Sequence, residues 1–387
     1  MSIQKRKKIQ RRDIIKLGVT ASVGLPLMTS QLLSCDSTQS KNTQKQSKGL
    51  SILILGGTSF LGPHQIAYAL DRGHTLTTFT RGKTLPTVHQ DKFKDVEQLI
   101  GDRNDDLSAL ENRKWDVVID NSGRKVEWTE ESAKLLKDSC DLYVYTSSTG
   151  VFYPYIDSEF REDSEVLLEM PITDDEDEKI EYGYGVMKAK SEMAARTQFG
   201  DDRTIVVRPT YMFGPGDRTD RFTYWPVRLK RGGEVMVPGK IDDPVQYVDV
   251  RDVAEWMIRL IEQKKTGTFN AVGPKTSHTM KEFVKEATQE YGLRCYFQYI
   301  DDYDFLLENG ISYIVPWIMP TGNNKGSALI NNQKAISNGL TFRDLELSME
   351  ETFYWWMTDA VSEERKEKLE AQFTKEREVI KKWKALM

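Results

Sequence analysis

The sequence predicts an α/β protein with a doubly wound parallel sheet and a smaller C-terminal domain. Three observations predict it: residues 50–55 form a continuous apolar run, a glycine-rich turn and a helical stretch follow directly, and short apolar runs recur along the chain. Continuous apolar runs are typical of strands buried on both faces of a parallel sheet. The 387 residues, 39% hydrophobic and 29% charged, provide enough core for one large domain or two smaller ones.

The first βαβ unit contains a loop suited to phosphate. The sequence Gly-Gly-Thr-Ser-Phe-Leu-Gly joins the strand at 50–55 to a helix at 64–72, and a second strand follows at 75–80. Glycines allow backbone amides to approach a pyrophosphate at the positive end of the helix. Ser59 replaces the middle glycine of the usual motif, so its Cβ crowds the pyrophosphate while its hydroxyl offers a hydrogen bond. We therefore predict a Rossmann-type dinucleotide site with contacts from Gly56, Thr58, Ser59, Phe60, Leu61 and Gly62.

Two residues at later strand ends concern the choice of nucleotide. Arg81 follows the second strand, where an NAD site usually has Asp or Glu, and an arginine accommodates the 2′-phosphate of NADP. Arg81 therefore favours NADP over NAD, although a loop arginine is often only a solvated side chain. Asp102 comes where a third strand would end, and it is a weaker candidate for a contact with adenine.

Three side chains form a candidate catalytic set. A predicted strand runs into Ser148, and Tyr184 and Lys188 lie four residues apart in a helical segment downstream. That spacing puts Tyr184 and Lys188 on one helix face, where an ammonium favours the phenolate and lowers the phenol pKa from about 10. Proton exchange with an alcohol requires such a base. Tyr182 is the competing tyrosine, but Val186 rather than a lysine follows it by four residues.

Together these features resemble the extended short-chain dehydrogenase/reductase family, the NAD-dependent epimerases and dehydratases. Further similar segments within residues 50–360 are 208–217, 245–254 and 268–274. The resemblance implies that Tyr184 transfers the proton, Ser148 holds the substrate oxygen and Lys188 also binds the nicotinamide ribose. Dehydratases of the family carry an Asp-Glu pair where this chain has Thr149 and Gly150. Dehydration is therefore disfavoured, and epimerisation or simple oxidation and reduction remain.

The resemblance also implies a division into domains. The expected parts are a dinucleotide-binding domain at 50–210 with 245–274 and a substrate domain at 211–244 with 275–360. In the substrate domain, Tyr224 or Trp225 is a candidate for stacking on a sugar ring, and Arg221 for hydrogen bonding to it. Packing of these aromatic residues in the core is an equal alternative. Residues 361–387 are predicted to form an amphipathic helix that either covers the domain or mediates association. A homodimer is therefore one of the possible assemblies.

The N-terminal segment is predicted to be a targeting signal rather than part of the fold. Residues 1–34 are first basic and then apolar, Arg11-Arg12 resembles a twin-arginine signal, and residues 32–35 resemble a lipobox ending in Cys35. We expect export of the folded protein to the periplasm, with a lipid on Cys35 as its only membrane anchor and residues 36–49 as a flexible tether. The alternative is a basic amphipathic start that stays in the cytoplasm.

The remainder of the chain is acidic. Residues 1–34 carry +6 in a chain of −5, so the rest carries −11. This charge provides no clustered basic surface for nucleic acid. The acids in residues 156–181 show no ligand spacing and no accompanying histidine, so we expect no metal.

These observations predict an NAD(P)-dependent epimerase or dehydrogenase that acts on a small carbohydrate-like substrate such as a sugar, glycoside or polyol. Because little free nicotinamide cofactor is expected outside the cytoplasm, we expect a tightly bound cofactor that each cycle regenerates. Two alternatives are an NADP-dependent reductase and a non-catalytic nucleotide-binding or RNA-binding relative. The latter is included because the glycine loop also resembles that of chloroplast stem-loop RNA-binding proteins.

Overall fold

The computed structural model describes residues 49–288 and 295–387, so the predicted signal, Cys35 and nearly all of the predicted tether lie outside the described residues. The strands are β1 (Ser51–Leu55), β2 (Thr75–Thr80), β3 (Val96–Ile100), β4 (Trp115–Asp120), β5 (Cys140–Thr146), β6 (Thr204–Pro209), β7 (Met212–Phe213), β8 (Gly233–Pro238), β9 (Pro244–Val245), β10 (Val248–Asp249), β11 (Gly267–Ala271), β12 (His278–Thr279), β13 (Cys295–Ile300), β14 (Tyr313–Ile314) and β15 (Trp317–Ile318). The helices are α1 (Leu61–Asp71), α2 (Val126–Leu136), α3 (Glu176–Phe199), α4 (Tyr224–Arg231), α5 (Val250–Glu262), α6 (Met280–Ala287), α7 (Tyr303–Glu308), α8 (Gln333–Ser337), α9 (Leu345–Trp356) and α10 (Glu363–Lys384).

Seven strands form one parallel sheet in the order β11-β6-β5-β4-β1-β2-β3. The strand order reverses at β1, which lies between β2 and β4, as in a doubly wound fold. The predicted strand at 75–80 matches β2, and the first strand begins one residue later than predicted. The predicted fold class is confirmed.

Helices cover both faces of this sheet. On one face, α1 and α5 contribute Ile66, Ala69, Trp256 and Met257 to a buried cluster with the strands. On the other face, α2 and α3 contribute Leu136, Ala195 and Phe199 to a second cluster. The strands β1 and β6 are therefore buried on both sides, which explains why they carry continuous apolar runs rather than alternating residues.

A separate core lies in the C-terminal half and includes Trp225, Trp317 and Phe283. The helix predicted near the C-terminus is present as α10, and its Leu369 and Phe373 are buried in this core. The apolar face of α10 thus covers a core of the same chain. The exact division into two domains stays a prediction. None of the described helices combines the length and the apolar character needed to cross a membrane.

Candidate active site

The glycine-rich loop joins β1 to α1 at the carboxyl edge of the sheet. Gly56 and Gly57 have φ of 99° and 105°, which only glycine adopts readily. A Cβ at Gly62 would lie 2.3 Å from the Cα of Gly57, so this glycine lets the first turn of α1 pack against the loop backbone. Phe60, directly before α1, has φ 45°, a region that is uncommon for residues other than glycine. Ser59 is exposed at the turn.

The residues predicted to concern the nucleotide type lie at the same edge of the sheet. Arg81 is exposed directly after β2, and the partly exposed Asp102 follows β3. The backbone and side-chain N–H groups of Asn104 donate to Asp102 at 3.0 and 2.9 Å. These bonds, together with the charges of Arg81 and Lys83, hold the pKa of Asp102 below its usual value. Contacts of Arg81 and Asp102 with a nucleotide stay predictions.

The structure brings Ser148 and Tyr184 together around Gly150. A Cβ on Gly150 would lie 2.8 Å from the Tyr184 ring and 3.3 Å from the Ser148 Oγ, so the residue must be small. Ser148 Oγ accepts the Gly150 N–H at 3.0 Å, which leaves its own proton available for another oxygen. Tyr184 is 42% exposed, whereas the competing Tyr182 is buried with its ring edge-to-face against Tyr153. This placement favours Tyr184 over Tyr182.

Lys188 lies one turn further along α3 and is buried. Its Nζ donates to the carbonyl oxygens of Thr146 at 3.0 Å and Gly123 at 3.4 Å, and it lies 5.0 Å from the centre of the Tyr145 ring. Burial lowers the pKa of Lys188 to about 8, although the carboxylates of Asp120 and Glu192 oppose this effect. The ammonium is therefore held at the ends of two central strands, at the edge where parallel sheets place their ligands.

A buried ion pair that the sequence does not predict contacts the residue next to Ser148. Arg208 and Glu192 form a bidentate pair at 2.9 and 2.7 Å, and both side chains are almost fully buried. Ser147 Oγ donates to the same Glu192 carboxylate at 2.5 Å. Because Ser147 precedes Ser148 and Glu192 lies one turn after Lys188, this pair connects β5 with α3. The Arg-Pro segment was recognised in the sequence, but not its partner.

A second ion pair that the sequence does not predict joins the loop after β3 to the end of β4. Arg103 donates to Asp120 at the end of β4, with one bond of 2.9 Å, and the Tyr143 hydroxyl donates to the same carboxylate at 2.8 Å. Burial alone would raise the pKa of Asp120, but Arg103 holds it below its usual value. Arg103 follows Asp102 directly, so the loop after β3 is anchored by the residue next to the predicted adenine contact.

Two histidines connect α1 to the loop that contains Pro215. His64, in the first turn of α1, lies 3.0 Å from His89 and 2.8 Å from the carbonyl oxygen of Pro215. Burial lowers the pKa of His64 to about 4, so the ring is neutral near pH 7. Its Nε2–H then donates to Pro215, and its Nδ1 accepts from His89. No sequence spacing indicates this contact, because its members are 25 and 151 residues apart.

The two predicted substrate residues lie in different environments. Tyr224 is 3% exposed, and its ring packs between Trp225 and Phe373 of α10, so the stacking prediction for Tyr224 is wrong and the packing alternative describes it. Its position in the first turn of α4 turns the ring into the C-terminal core. Arg221 is exposed, with its guanidinium 5.1 Å from the centre of the Tyr211 ring. Its contact with a substrate stays a prediction.

Comparison with known proteins places the chain in a family. The model of the NAD dependent epimerase/dehydratase family matches residues 52–272, more than half of the chain, so the chain belongs to this family. The chloroplast stem-loop binding protein of 41 kDa b from Arabidopsis thaliana is 31% identical over 238 residues. That match covers 58% of this chain and 59% of the relative, so the chain spans well under two thirds of its length.

Solved structures share the fold. The enzyme WbmH from Bordetella bronchiseptica, in complex with NAD⁺, has a TM-score of 0.58 at 15% identity over 81% of this chain and 99% of its own. UDP-glucuronic acid 4-epimerase from Bacillus cereus, in complex with NAD, has a TM-score of 0.54 at 16% identity over 81% and 100%. At these identities the likeness concerns the fold, and the chemistry has to be argued from the site.

Proposed function

We propose that this protein is an NAD(P)-dependent oxidoreductase, working as an epimerase on a hydroxyl-bearing carbon of a carbohydrate-like substrate. The observation that carries the proposal is the arrangement of Tyr184 and Ser148 around Gly150, with Lys188 one helical turn away. All three lie at the carboxyl edge of the parallel sheet, where open α/β folds bind ligands. Family membership supports the same reaction class.

The residues present fit a dinucleotide. The loop of Gly56, Gly57 and Gly62 presents backbone at the start of α1 in a conformation that side chains would obstruct, as a pyrophosphate requires. Lys188 would hold the nicotinamide ribose, and the exposed Arg81 supports NADP rather than NAD. When bound, the nucleotide supplies the acceptor and donor of hydride.

The chain's own residues handle the proton. The substrate hydroxyl loses its proton to the Tyr184 oxygen as its C–H bond breaks and a carbonyl forms, and Ser148 donates a hydrogen bond to that oxygen. Positioned acid–base groups of this kind contribute about 10²–10⁴-fold to a rate. Tyr184 would return the proton to the carbonyl oxygen, and hydride supplied by a bound nucleotide to the other face would give the epimer and restore the starting state. Such a cycle suits a protein exported with its cofactor, which we also propose from the N-terminal signals.

Substitution of Tyr184 tests the proposal. We expect Tyr184→Phe to lower kcat by about 10²–10⁴-fold while nucleotide content, measured by mass spectrometry of ligand released from the purified protein, stays near wild type. Tyr182→Phe is the matched control, because it removes the hydroxyl of a buried tyrosine that lies two residues before Tyr184. Wild-type turnover in Tyr184→Phe would contradict the assignment of the base. An epimerase leaves added NADPH unconsumed, whereas a plain reductase consumes it stoichiometrically.

A second candidate function is nucleotide or RNA binding without catalysis. The identity to the stem-loop binding protein favours it. The net charge of −11 after residue 34 argues against it, because RNA binding relies on a basic surface. Submicromolar binding of stem-loop RNA at physiological salt, by protein that fails to turn over any hydroxyl substrate, would support this second function.

A further inference from the structure

The loop at residues 214–221 follows β7 and leads towards α4. Three of its residues have a positive φ: Gly214 at 134°, Gly216 at 93° and Asp220 at 57°. Glycine adopts such angles readily, whereas the left-handed region is uncommon for an aspartate. A conformation of this kind persists where the surrounding structure holds it. Asp220 therefore indicates that contacts from outside the 214–221 loop fix its shape.

Arg365 of α10 supplies these contacts. Its Nε donates to one carboxylate oxygen of Asp220 at 2.8 Å, and a terminal nitrogen donates to the other oxygen. The same nitrogen donates to the carbonyl oxygen of Asp217 at 2.6 Å. The guanidinium also lies 5.4 and 5.5 Å from the centres of the Trp355 and Trp356 rings. Because two bonds to one carboxylate give an arginine a defined orientation, Arg365 fixes both Asp220 and the backbone at Asp217.

The 214–221 loop also contacts the part of the fold that carries the glycine-rich loop. The carbonyl oxygen of Pro215 accepts the Nε2–H of His64 at 2.8 Å. His64 lies in the first turn of α1, two residues after Gly62. A Cβ at Gly216 would lie 3.4 Å from a methyl group of Val88, so the same stretch packs against the segment after β2. The 214–221 loop thus connects α10 with the helix at which the dinucleotide is expected.

α10 belongs to a part of the chain that the family model does not cover. That match ends at residue 272, and α10 begins at Glu363. Further along α10, Glu370 pairs with Arg231 of α4. This pair attaches α10 to the C-terminal half of the fold, whereas Arg365 attaches it to the 214–221 loop.

We propose that Arg365 is a positioning residue for dinucleotide binding. It holds Asp220 in its left-handed conformation, so that Pro215 meets His64 and the first turn of α1 is fixed beside the glycine-rich loop. It acts through the 214–221 loop and not by touching the nucleotide. The inference rests on the proposed function, and it makes the C-terminal helix a part of the dinucleotide site.

Nucleotide affinity of full-length variants tests this proposal. NADP is titrated by fluorescence into protein freed of nucleotide. We expect Arg365→Met to weaken binding by about 3- to 10-fold, the range for the net loss of one hydrogen bond. Arg231→Met is the matched control, because it breaks the pair with Glu370 and removes the same charge. It should leave the Kd near that of the wild type.

Substitutions of Asp220 separate the backbone conformation from the ion pair. Asp220→Ala and Asp220→Gly both remove the carboxylate, but glycine adopts a φ of 57° freely and alanine does not. We expect Asp220→Ala to bind NADP as weakly as Arg365→Met and Asp220→Gly to stay closer to the wild type. In a His64→Ala background, Arg365→Met should add little further loss, because the contact through which Arg365 acts is missing.

The outcomes separate this inference from the proposed function. Wild-type affinity in Arg365→Met, or an equal loss in Arg231→Met, would overturn the inference while nucleotide binding by the wild type stands. Equal affinities of Asp220→Ala and Asp220→Gly, or fully additive losses in the variant with His64→Ala and Arg365→Met, would overturn it as well. A wild-type protein that binds neither NADP nor NAD would refute the proposed function and the inference with it.

Discussion

At the scale of single residues, Lys188 shows how burial sets the working range of a side chain. Its ammonium is surrounded by two carbonyl oxygens and an aromatic face, and burial brings its pKa down to about 8. The carboxylates of Asp120 and Glu192 keep the charged form accessible near pH 7. An exposed lysine would stay charged to about pH 10.

This pKa predicts how cofactor affinity depends on pH. An anionic nucleotide prefers the ammonium and raises the pKa of Lys188 in the complex. Affinity is then full below about pH 8, and it falls as the pH rises above that value and free Lys188 loses its proton. Titration of NADP binding by fluorescence between pH 6 and 10 should show this fall in wild type, and weaker, flatter binding in Lys188→Met. Lys190→Met is the control, and a flat wild-type profile would contradict the role of Lys188.

At the scale of elements, the Arg208–Glu192 pair joins β6 to α3 and, through Ser147, to the end of β5. Arg208 also donates to the carbonyl oxygen of Glu162. The end of β5, which leads to Ser148, and α3, which carries Tyr184 and Lys188, therefore share one polar contact with β6. Removing one partner would leave a buried charge without compensation.

We expect Arg208→Met to lower the free energy of unfolding by about 3–5 kcal/mol, because it strands the Glu192 carboxylate. Arg208→Met with Glu192→Leu should recover most of that loss, yet keep a reduced kcat, because Ser147 then lacks its acceptor. Urea unfolding and steady-state kinetics measure both effects. Arg161→Met, in an exposed pair with Glu159, is the control and should change the free energy of unfolding far less, because water screens an exposed pair. Full wild-type kcat in the double variant would exclude a positioning role.

The elements that the sequence predicts well are those with a local signal. β1 is a continuous apolar run after Ser51, and the glycines that follow it allow the turn into α1. Tyr184 and Lys188 were found from a four-residue spacing within one helix, and Ser148 from its position directly after a predicted strand. α1 begins three residues before the predicted start, because Gly62 belongs to the helix and not to the loop. It is a glycine there because it packs against Gly57.

The parts that the sequence does not predict depend on tertiary contact. Arg103 and Asp120 are 17 residues apart, and Ser147 and Glu192 are 45 apart, with no periodicity that connects them. Tyr224 was expected at the substrate because an aromatic residue beside polar ones has the same local pattern in a core and in a cleft. Only the packing of α10 against it decides between them.

At the scale of the whole molecule, the net charge is distributed unevenly along the chain. The first 34 residues carry +6, and the remainder carries −11. From the basic, then apolar, segment ahead of an acidic remainder we propose an exported protein rather than a nucleic-acid-binding one. An enzyme that regenerates its cofactor in each cycle would be able to work where no nucleotide pool exists.

Export of the loaded protein is the last prediction. Arg11→Lys with Arg12→Lys should trap the precursor in the cytoplasm, because the paired guanidiniums are the recognised feature of a twin-arginine signal. Cys35→Ala should instead release a soluble exported form, because we propose that the Cys35 thiol carries the lipid that holds the protein at the membrane. Fractionation followed by mass spectrometry of the released form should find about one NADP or NAD per chain. Exported protein that carries no nucleotide and binds none when it is added would contradict the self-regenerating oxidoreductase and favour the binding function.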